Sequence, residues 1–197
     1  MTTHLLYLHG FRSSPGSFKA RRMAAWLAEH RPDVLWWCPQ LPPSPAAAWV
    51  MIEQGIADWP RSTMAVVGSS LGGFYATAVA QATGCRAMLL NPAVDPARDL
   101  AKYIGELTHF HAPEERFFFH AEFIGELHAL AVPTITRPER YGAVIAKGDE
   151  VLDWREMVGR YPGATVRLLE ASDHALSDFE NDLPFVLNFV LNFLHPA

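Results

Sequence analysis

The sequence predicts an α/β fold, with a mostly parallel central sheet flanked by helices. Short apolar runs alternate with longer amphipathic segments along most of the chain, and this alternation is typical of β-α-β units. Half of the 197 residues are hydrophobic and 12% are aromatic, which is ample for a packed core. A chain of this length is usually one domain, so we expect a single domain over residues 1–197.

Six short apolar runs, bounded by turn residues or polar residues, predict the strands of the sheet. Each run has the usual length of a strand that is buried in a parallel sheet. In chain order the predicted strands are Leu5–Leu8, Val34–Cys38, Met64–Val67, Ala87–Leu90, Ala143–Ala146 and Thr165–Leu169.

Four longer segments predict helices between and after these strands. The first places Phe18, Met23 and Leu27 at helical spacing, and the third is rich in Ala, which suits close packing on a sheet. The Pro-rich stretch Pro39–Pro45 is expected to be a loop. The predicted helices are Ser17–His30, one that begins at Ser44 or Pro45, Leu71–Ala82 and Asp178–Leu194.

Residues 95–140 do not follow this alternation. They are too many for an ordinary loop, and they carry a cluster of aromatic side chains. We expect a mostly helical insertion that forms a small cap over one end of the sheet. Its aromatic residues are Tyr103, Phe110, Phe117, Phe118, Phe119 and Phe123.

The pentapeptide Gly68-Ser69-Ser70-Leu71-Gly72 lies between a predicted strand and a predicted helix. In this context a G-x-S-x-G motif is typical of a nucleophile elbow, a sharp turn in which the flanking glycines relieve steric crowding. The turn exposes the Ser70 hydroxyl at the carboxyl edge of the sheet, where the Leu71 N–H can stabilise an oxyanion. The pattern lacks the lysine of a P-loop and the glycine spacing of a dinucleotide-binding turn. We therefore predict Ser70 as a hydrolytic nucleophile.

A serine nucleophile needs a base, and the base needs a carboxylate that orients it. In hydrolases with this elbow the order along the chain is Ser, then Asp or Glu, then His. Asp149 follows the predicted strand Ala143–Ala146, and His174 lies in a short loop after the last predicted strand. We predict Asp149 as the acid and His174 as the general base.

Three other carboxylates lie near these positions. Glu150 and Asp153 are alternatives for the acid, although a carboxylate at position 153 is also a common helix cap. Asp173 adjoins His174, and neighbouring side chains on a tight loop rarely face each other. We expect Asp173 to cap the last helix or to remain in solvent.

The tripeptide His9-Gly10-Phe11 comes directly after the first predicted strand. This is where hydrolases with the elbow place the second donor of the oxyanion hole, and we predict that the Phe11 N–H fills this role beside the Leu71 N–H. Gly10 allows the backbone to approach the substrate. His9 is expected to shape this loop, so His9 and Gly10 are the predicted substrate-binding residues.

The composition excludes several classes of function. The net charge of −5 offers no basic excess for nucleic acid. The first apolar run is too short for a membrane span and has no cationic leader, so we expect a cytoplasmic protein.

Cys38 and Cys85 are expected to be buried free thiols. His109, His111, His120 and His128 fit no metal-ligand spacing, so no metal is expected. The oligomeric state, a homo-oligomer included, is left open.

Five stretches in the same order along the chain resemble the small bacterial esterases of the YqiA type, compact members of the α/β-hydrolase superfamily. The resemblance implies serine esterase activity on short acyl esters, without a cofactor, and it supports Ser70, Asp149 and His174 as the triad. The matching stretches are Tyr7–Pro15, Gly68–Ala76, Leu90–Val94, Gly148–Asp153 and Asp173-His174.

Two positions depart from the pattern of these esterases. They tend to have glycines before the Asp-His pair, where this chain has Ala171-Ser172, and an aromatic residue two positions after the His, where it has Leu176. Both departures are expected to affect the rim of the pocket and not the triad. A thioesterase or amide hydrolase with the same triad is an alternative, as is a non-catalytic binding protein with this fold.

Overall fold

A computed structural model describes residues 1–110 and 112–191, and its centre is a six-stranded sheet. The strands are β1 (His4–Leu8), β2 (Leu35–Trp37), β3 (Met64–Ser69), β4 (Arg86–Leu90), β7 (Tyr141–Ala146) and β8 (Thr165–Leu169). Their order is β2-β1-β3-β4-β7-β8, and every neighbouring pair is parallel. The predicted parallel sheet is confirmed. It places all six carboxyl ends at one edge.

Helices cover both faces of this sheet. One face packs against α1 (Phe18–His30) and α7 (Leu183–Leu191), and the other packs against α2 (Pro45–Gly55), α3 (Leu71–Thr83) and α6 (Trp154–Arg160). Two buried clusters result, one on each side, and the strands contribute alternate residues to them because successive side chains of a strand point to opposite faces.

Local sequence signals account for several helix ends. The Ser44 side chain accepts a hydrogen bond from the Ala47 N–H at the start of α2, where Pro45 takes the first helical position. Helix α3 ends at Gly84, whose φ of 73° is readily adopted by glycine. The start of α2 and the end of α3 lie within a residue of their predicted positions.

Residues 95–140, inserted between β4 and β7, are not mostly helical, and that expectation is wrong in part. The segment contains α4 (Pro96–Leu100) and α5 (Glu122–Leu130), but between them β5 (Gly105–Thr108) and β6 (Arg116–Phe119) form an antiparallel pair. The aromatic run of β6 explains the strand, since Phe119 is buried in the core while Phe118 is exposed on the opposite side.

The last predicted helix is shorter than expected. A 3₁₀ turn at Phe179–Asn181 precedes α7, so the helical stripe is interrupted, and residues 192–194 of the prediction lie outside the described residues. Among the described residues, no helix has the length and apolar character needed to cross a membrane.

Candidate active site

Ser70 occupies a strained turn between β3 and α3. Its φ of 55° and ψ of −121° are outside the regions that non-glycine residues normally adopt, at a cost of about 1–3 kcal/mol. Backbone hydrogen bonds hold the turn: the Ser70 N–H donates to the Leu90 carbonyl at 2.9 Å, and the Ser70 carbonyl accepts from Gly73 and Ala93. The strain is therefore balanced by contacts with β4 and with α3 itself.

The glycines of the elbow are required by close backbone approaches. A Cβ atom at Gly68 would lie 2.1 Å from the Gly72 carbonyl oxygen, and one at Gly72 would lie 1.9 Å from the Leu8 carbonyl oxygen. Both distances are far below van der Waals contact. The elbow packs directly on β1, so the loop after β1 is brought against Ser70.

Asp149 lies after β7, with its side chain fully buried. One carboxylate oxygen accepts hydrogen bonds from the Val151 and Leu152 N–H groups, both at 2.8 Å, and the other lies 2.7 Å from His174 Nδ1. The two backbone donors fix the carboxylate plane. The two backbone N–H groups bind Oδ1, so Oδ2 is left to accept from the imidazole of His174.

His174 lies between this carboxylate and the serine. Its Nε2 atom is 3.0 Å from Ser70 Oγ, and its N–H donates to the Glu150 carboxylate at 3.0 Å. Because Asp149 accepts a hydrogen bond from the Nδ1–H, the neutral ring presents the Nε2 lone pair to the serine hydroxyl. The structure thus brings Ser70, His174 and Asp149 together in the predicted order.

Asn91 is a site residue that the sequence reasoning missed. It lies at the end of β4 with a φ of 41° and is 1% exposed. Its side-chain oxygen accepts from the Ala146 N–H at 2.8 Å, and its amide nitrogen donates to the carbonyls of Asp173 and His174 at 3.0 and 3.2 Å. One side chain therefore joins β4 and β7 to the loop that carries the histidine.

The loop after β1 carries the predicted oxyanion residues. The Leu41 N–H donates to His9 Nε2 at 3.1 Å, which leaves the ring proton on Nδ1, where it donates to the Gly10 carbonyl at 2.9 Å. A trans peptide directs its C=O and N–H to opposite sides, so the Phe11 N–H points away from His9. Gly10 itself adjoins Ser70, because a Cβ there would lie 3.2 Å from Ser70 Cβ.

The Leu71 N–H is the first of helix α3, and the first N–H groups of a helix have no acceptor within it. It follows Ser70 directly and lies at the positive end of the helix dipole. His9 is buried, and it contacts the loop backbone, as expected of a residue that shapes the loop.

A cavity of about 430 Å³ opens beside Ser70 and His174. Phe110 from the insertion lies at its rim: its N–H donates to the Arg12 carbonyl at 2.8 Å, and the Arg12 guanidinium lies 4.4 Å from its ring centroid. The inserted segment therefore reaches the site through this ring. The cavity is lined by Tyr7, His9, Gly10, Phe11, Ser13, Ser17, Phe18, Lys19, Ser69, Ser70, Phe110, His174, Ala175 and Ser177.

The alternative carboxylates have other partners. Glu150 accepts from the backbone of His174 and not from its ring, and Asp153 caps α6 by accepting from the Arg155 N–H. Asp173 accepts from the Ser177 N–H and hydroxyl, and these bonds lower its pKa. Each of the three thus has a structural role that leaves Asp149 facing the ring.

The two departures from the esterase pattern have different consequences. Ser172 adopts a φ of 88°, a conformation natural to glycine, so this chain has strain where related esterases tend to have glycine. Leu176 is fully buried in the core beside α1 and α7, so the expectation that it affects the pocket rim is wrong.

Packing accounts for both cysteines and for His109 and His120 of the insertion. Cys85 is buried and Cys38 is partly buried, and burial raises the pKa of the Cys38 thiol to about 12. His109 packs on Phe117, and His120 packs on two other rings of the insertion. In residues 1–110 and 112–191, no group of three or more metal-ligating side chains comes together; His111 lies outside this range.

Solved structures share this architecture. Alpha/beta hydrolase domain-containing protein 10 from mouse superimposes with a TM-score of 0.72 at 15% identity, covering 95% of this chain and 88% of that one. Est1E from Butyrivibrio proteoclasticus gives a TM-score of 0.69 at 14% identity, covering 97% and 88%. Carboxylesterase CesB from Bacillus subtilis gives 0.63 at 14% identity, covering 98% and 85%. At these identities the likeness establishes the fold.

The predicted α/β-hydrolase fold is thereby confirmed, and the family follows from the sequence match. A family model described as "Uncharacterised protein family (UPF0227)" matches residues 4–191, nearly the whole chain. The elbow, the loop after β1 and the Asp149 and His174 loops all fall inside this match. The chain belongs to this family and is a YqiA-type α/β-hydrolase.

Proposed function

We propose that the protein is a serine esterase that hydrolyses short-chain acyl esters through an acyl-enzyme intermediate. The observation that carries the proposal is the line of hydrogen bonds from Asp149 through His174 to Ser70, with distances of 2.7 and 3.0 Å. A nucleophile within reach of a base that is itself oriented by a buried carboxylate is the arrangement that acyl transfer requires.

In the proposed reaction the Ser70 hydroxyl attacks the ester carbonyl while His174 Nε2 accepts its proton. Asp149 holds the ring in the required tautomer and stabilises the imidazolium that forms. The imidazolium then protonates the leaving alcohol. Water, deprotonated by the same nitrogen, attacks the acyl-enzyme. The bond between the acyl carbon and Ser70 Oγ then breaks, the imidazolium returns its proton to Oγ, and the acid leaves.

The negative charge of each tetrahedral intermediate needs two aligned donors. We assign them to the N–H groups of Phe11 and Leu71. The contact of Gly10 with Ser70 and the His9 hydrogen bond to the Gly10 carbonyl support the Phe11 assignment. The position of Leu71 at the start of α3 supports the second. Neither the formation nor the hydrolysis of the acyl-enzyme, as proposed, needs a metal or a cofactor.

The substrate class is supported by the cavity and by the structural neighbours. A volume of about 430 Å³ with aromatic walls at Phe11, Phe18 and Phe110 accommodates a small acyl ester. The structural neighbours include the carboxylesterase CesB and Est1E, and one structure of Est1E has ferulic acid bound. We propose esters and not amides because the named enzymes among these neighbours include esterases and lipolytic enzymes.

The test is hydrolysis of p-nitrophenyl esters of increasing chain length, with the matching thioesters as a second series. Ser70→Ala and His174→Ala should each lower kcat/KM by at least about a thousandfold. Ser62→Ala and His128→Ala, which remove the same groups from exposed positions, should leave it unchanged.

Wild-type rates in the Ser70 or His174 variants would show that other residues do the chemistry. A wild-type protein without activity on either series would instead favour a binding role for this fold. A higher kcat/KM for thioesters than for esters of equal chain length would identify a thioesterase.

A further inference from the structure

The first turn of α1 forms one wall of the cavity beside Ser70. Ser17, Phe18 and Lys19 all line the cavity, so the N-terminus of this 13-residue helix faces it. The first N–H groups of a helix lack intrahelical acceptors, and the helix dipole makes this end positive. No acidic residue lies in the first turn of α1, and the Ser17 side chain does not cap the helix. This wall therefore favours an anion.

Two buried hydroxyls lie behind the same wall. The Tyr7 side chain is fully buried, and its hydroxyl lies close to those of Ser17 and Ser69. Within the described residues, neither the Tyr7 nor the Ser17 hydroxyl makes a hydrogen bond of normal geometry. Burial raises the pKa of the Tyr7 phenol above its usual range, so it remains a protonated donor.

Lys19 adds a cation to this wall. Its ammonium donates one hydrogen bond to the Ala175 carbonyl, which leaves two further N–H donors on the same nitrogen. Burial lowers the pKa of this ammonium to about 8, against the opposing effect of the Asp173 and Asp149 carboxylates, which favour its charged form. The Asp149 carboxylate accepts hydrogen bonds from the His174 ring and from two backbone N–H groups, and the Asp173 carboxylate accepts them from the Ser177 N–H and hydroxyl. Of the residues that the structure describes around this cavity, none is Asp or Glu.

We propose that the wall formed by Lys19, Ser17 and the N-terminus of α1 binds a carboxylate on the substrate. The preferred substrate is then an ester with a free carboxylate on the part that occupies this cavity. The inference rests on the proposed esterase function and narrows its substrate class. The carboxylate accepts from the Lys19 ammonium and from the first N–H groups of the helix. The aromatic side of the cavity, at Phe18 and Phe110, contacts the carbon chain between carboxylate and ester.

The experiment compares charged esters with neutral isosteres, with the carboxylate placed on either side of the ester bond. Monomethyl glutarate is measured against methyl glutaramate for an anionic acyl group, and acetoxyacetate against acetoxyacetamide for an anionic alcohol. Product acid is measured by chromatography at pH 7. In at least one pair the wild-type protein should have about tenfold to a hundredfold higher kcat/KM for the charged ester, as expected for hydrogen bonds to charged groups.

Variants of Lys19 identify the origin of this preference. Lys19→Met should reduce the ratio of charged to neutral kcat/KM to about one, whereas Lys19→Arg should retain most of this ratio. Lys102→Met, which removes a charge from the insertion, should leave the ratio unchanged. Ser17→Ala should lower the ratio more weakly. The pair that shows the effect tells whether the acyl or the alcohol part occupies the cavity.

Three results would overturn the proposal. They are a wild-type ratio near one in both pairs, an equal loss for charged and neutral esters in Lys19→Met, and a ratio that Lys102→Met lowers as much as Lys19→Met. The first needs no variant, so it stands even if Lys19→Met does not fold. Each of these results differs from the one that would contradict the esterase proposal, which is that the wild-type protein hydrolyses neither the neutral nor the charged esters.

Discussion

Asn91 provides a sharp test of how the histidine loop is held. Asn91→Ala leaves the buried Ala146 N–H without its acceptor and removes the donor shared by the Asp173 and His174 carbonyls. It also places Ala at a φ of 41°. With about 1–3 kcal/mol for the unpaired N–H, about 1 kcal/mol for the backbone and about 1 kcal/mol for the lost donor, we expect the free energy of unfolding to fall by about 3–5 kcal/mol.

The same substitution should lower kcat. The 3.0 Å distance from His174 Nε2 to Ser70 Oγ depends on the position of a loop whose backbone Asn91 binds. A displacement of about 1 Å in such a group costs on the order of a hundredfold in rate, so we expect kcat to fall by about tenfold to a hundredfold. KM should change little, because Asn91 does not line the cavity.

Two companion variants separate the contributions of the side chain. Asn91→Gly tolerates the positive φ and should recover about 1 kcal/mol relative to Asn91→Ala. Asn91→Asp retains an acceptor for the Ala146 N–H but turns a carboxylate toward two carbonyls. It should therefore lower kcat at least as much as Asn91→Ala does.

The assay combines urea unfolding with esterase kinetics on folded protein. Met157→Ala serves as the matched control, because it removes a buried side chain of α6 at a cost of about 2–5 kcal/mol. Met157 belongs to the core cluster on one face of the sheet, whereas Leu176, which follows His174, belongs to the cluster on the other face. It should lose stability but keep its kcat. If Asn91→Ala has the stability of the wild type within about 0.5 kcal/mol, or the kcat of Met157→Ala, the positioning role assigned to Asn91 is wrong.

Three further substitutions or treatments have definite expected results. His9→Ala removes the shorter of the two hydrogen bonds to the Gly10 carbonyl, which also accepts from the Ser13 N–H, so kcat should fall by about tenfold to a hundredfold in steady-state kinetics; an unchanged kcat would mean that the loop does not need the His9 ring. Gly72→Ala places a Cβ 1.9 Å from the Leu8 carbonyl oxygen and should lower the free energy of unfolding by at least about 1–3 kcal/mol; an unaltered thermal melt would contradict the packing described. Because burial raises the pKa of Cys38 to about 12, its thiolate is scarce at pH 8, and iodoacetamide should label it more than about a hundredfold more slowly than glutathione; rapid labelling would show that the thiol is activated.

The sheet and the elbow could be predicted from the sequence because their signals are local. Gly68 and Gly72 bracket a serine between an apolar run and an Ala-rich segment, and a strand, a sharp turn and a helix are the direct interpretation. Parallel strands bring their carboxyl ends to one edge, so the order of Asp149 and His174 along the chain already implies that they meet near Ser70.

Other parts depend on contacts between distant residues. Asn91 looks like an ordinary strand terminator before a proline, since its bonds to residues 146, 173 and 174 leave no local trace. The hairpin of β5 and β6 was missed for a related reason. Arg116–Phe119 lacks the alternation of a half-buried strand, and residues 109–115, which connect it to Gly105–Thr108, are more than a usual hairpin loop contains.

The point at which the insertion leaves and rejoins the sheet has a consequence for engineering. Strands β4 and β7, which precede and follow residues 95–140, are hydrogen-bonded neighbours, so the insertion bridges adjacent strands and leaves the order of the sheet unchanged. Ser70, Asp149 and His174 all lie outside it. The segment can therefore be exchanged with that of another family member as a cassette if the replacement keeps the side chains that Phe119 and Leu127 contribute to the core, and the exchange would vary the Phe110 side of the cavity while the helix wall at Lys19 stays constant.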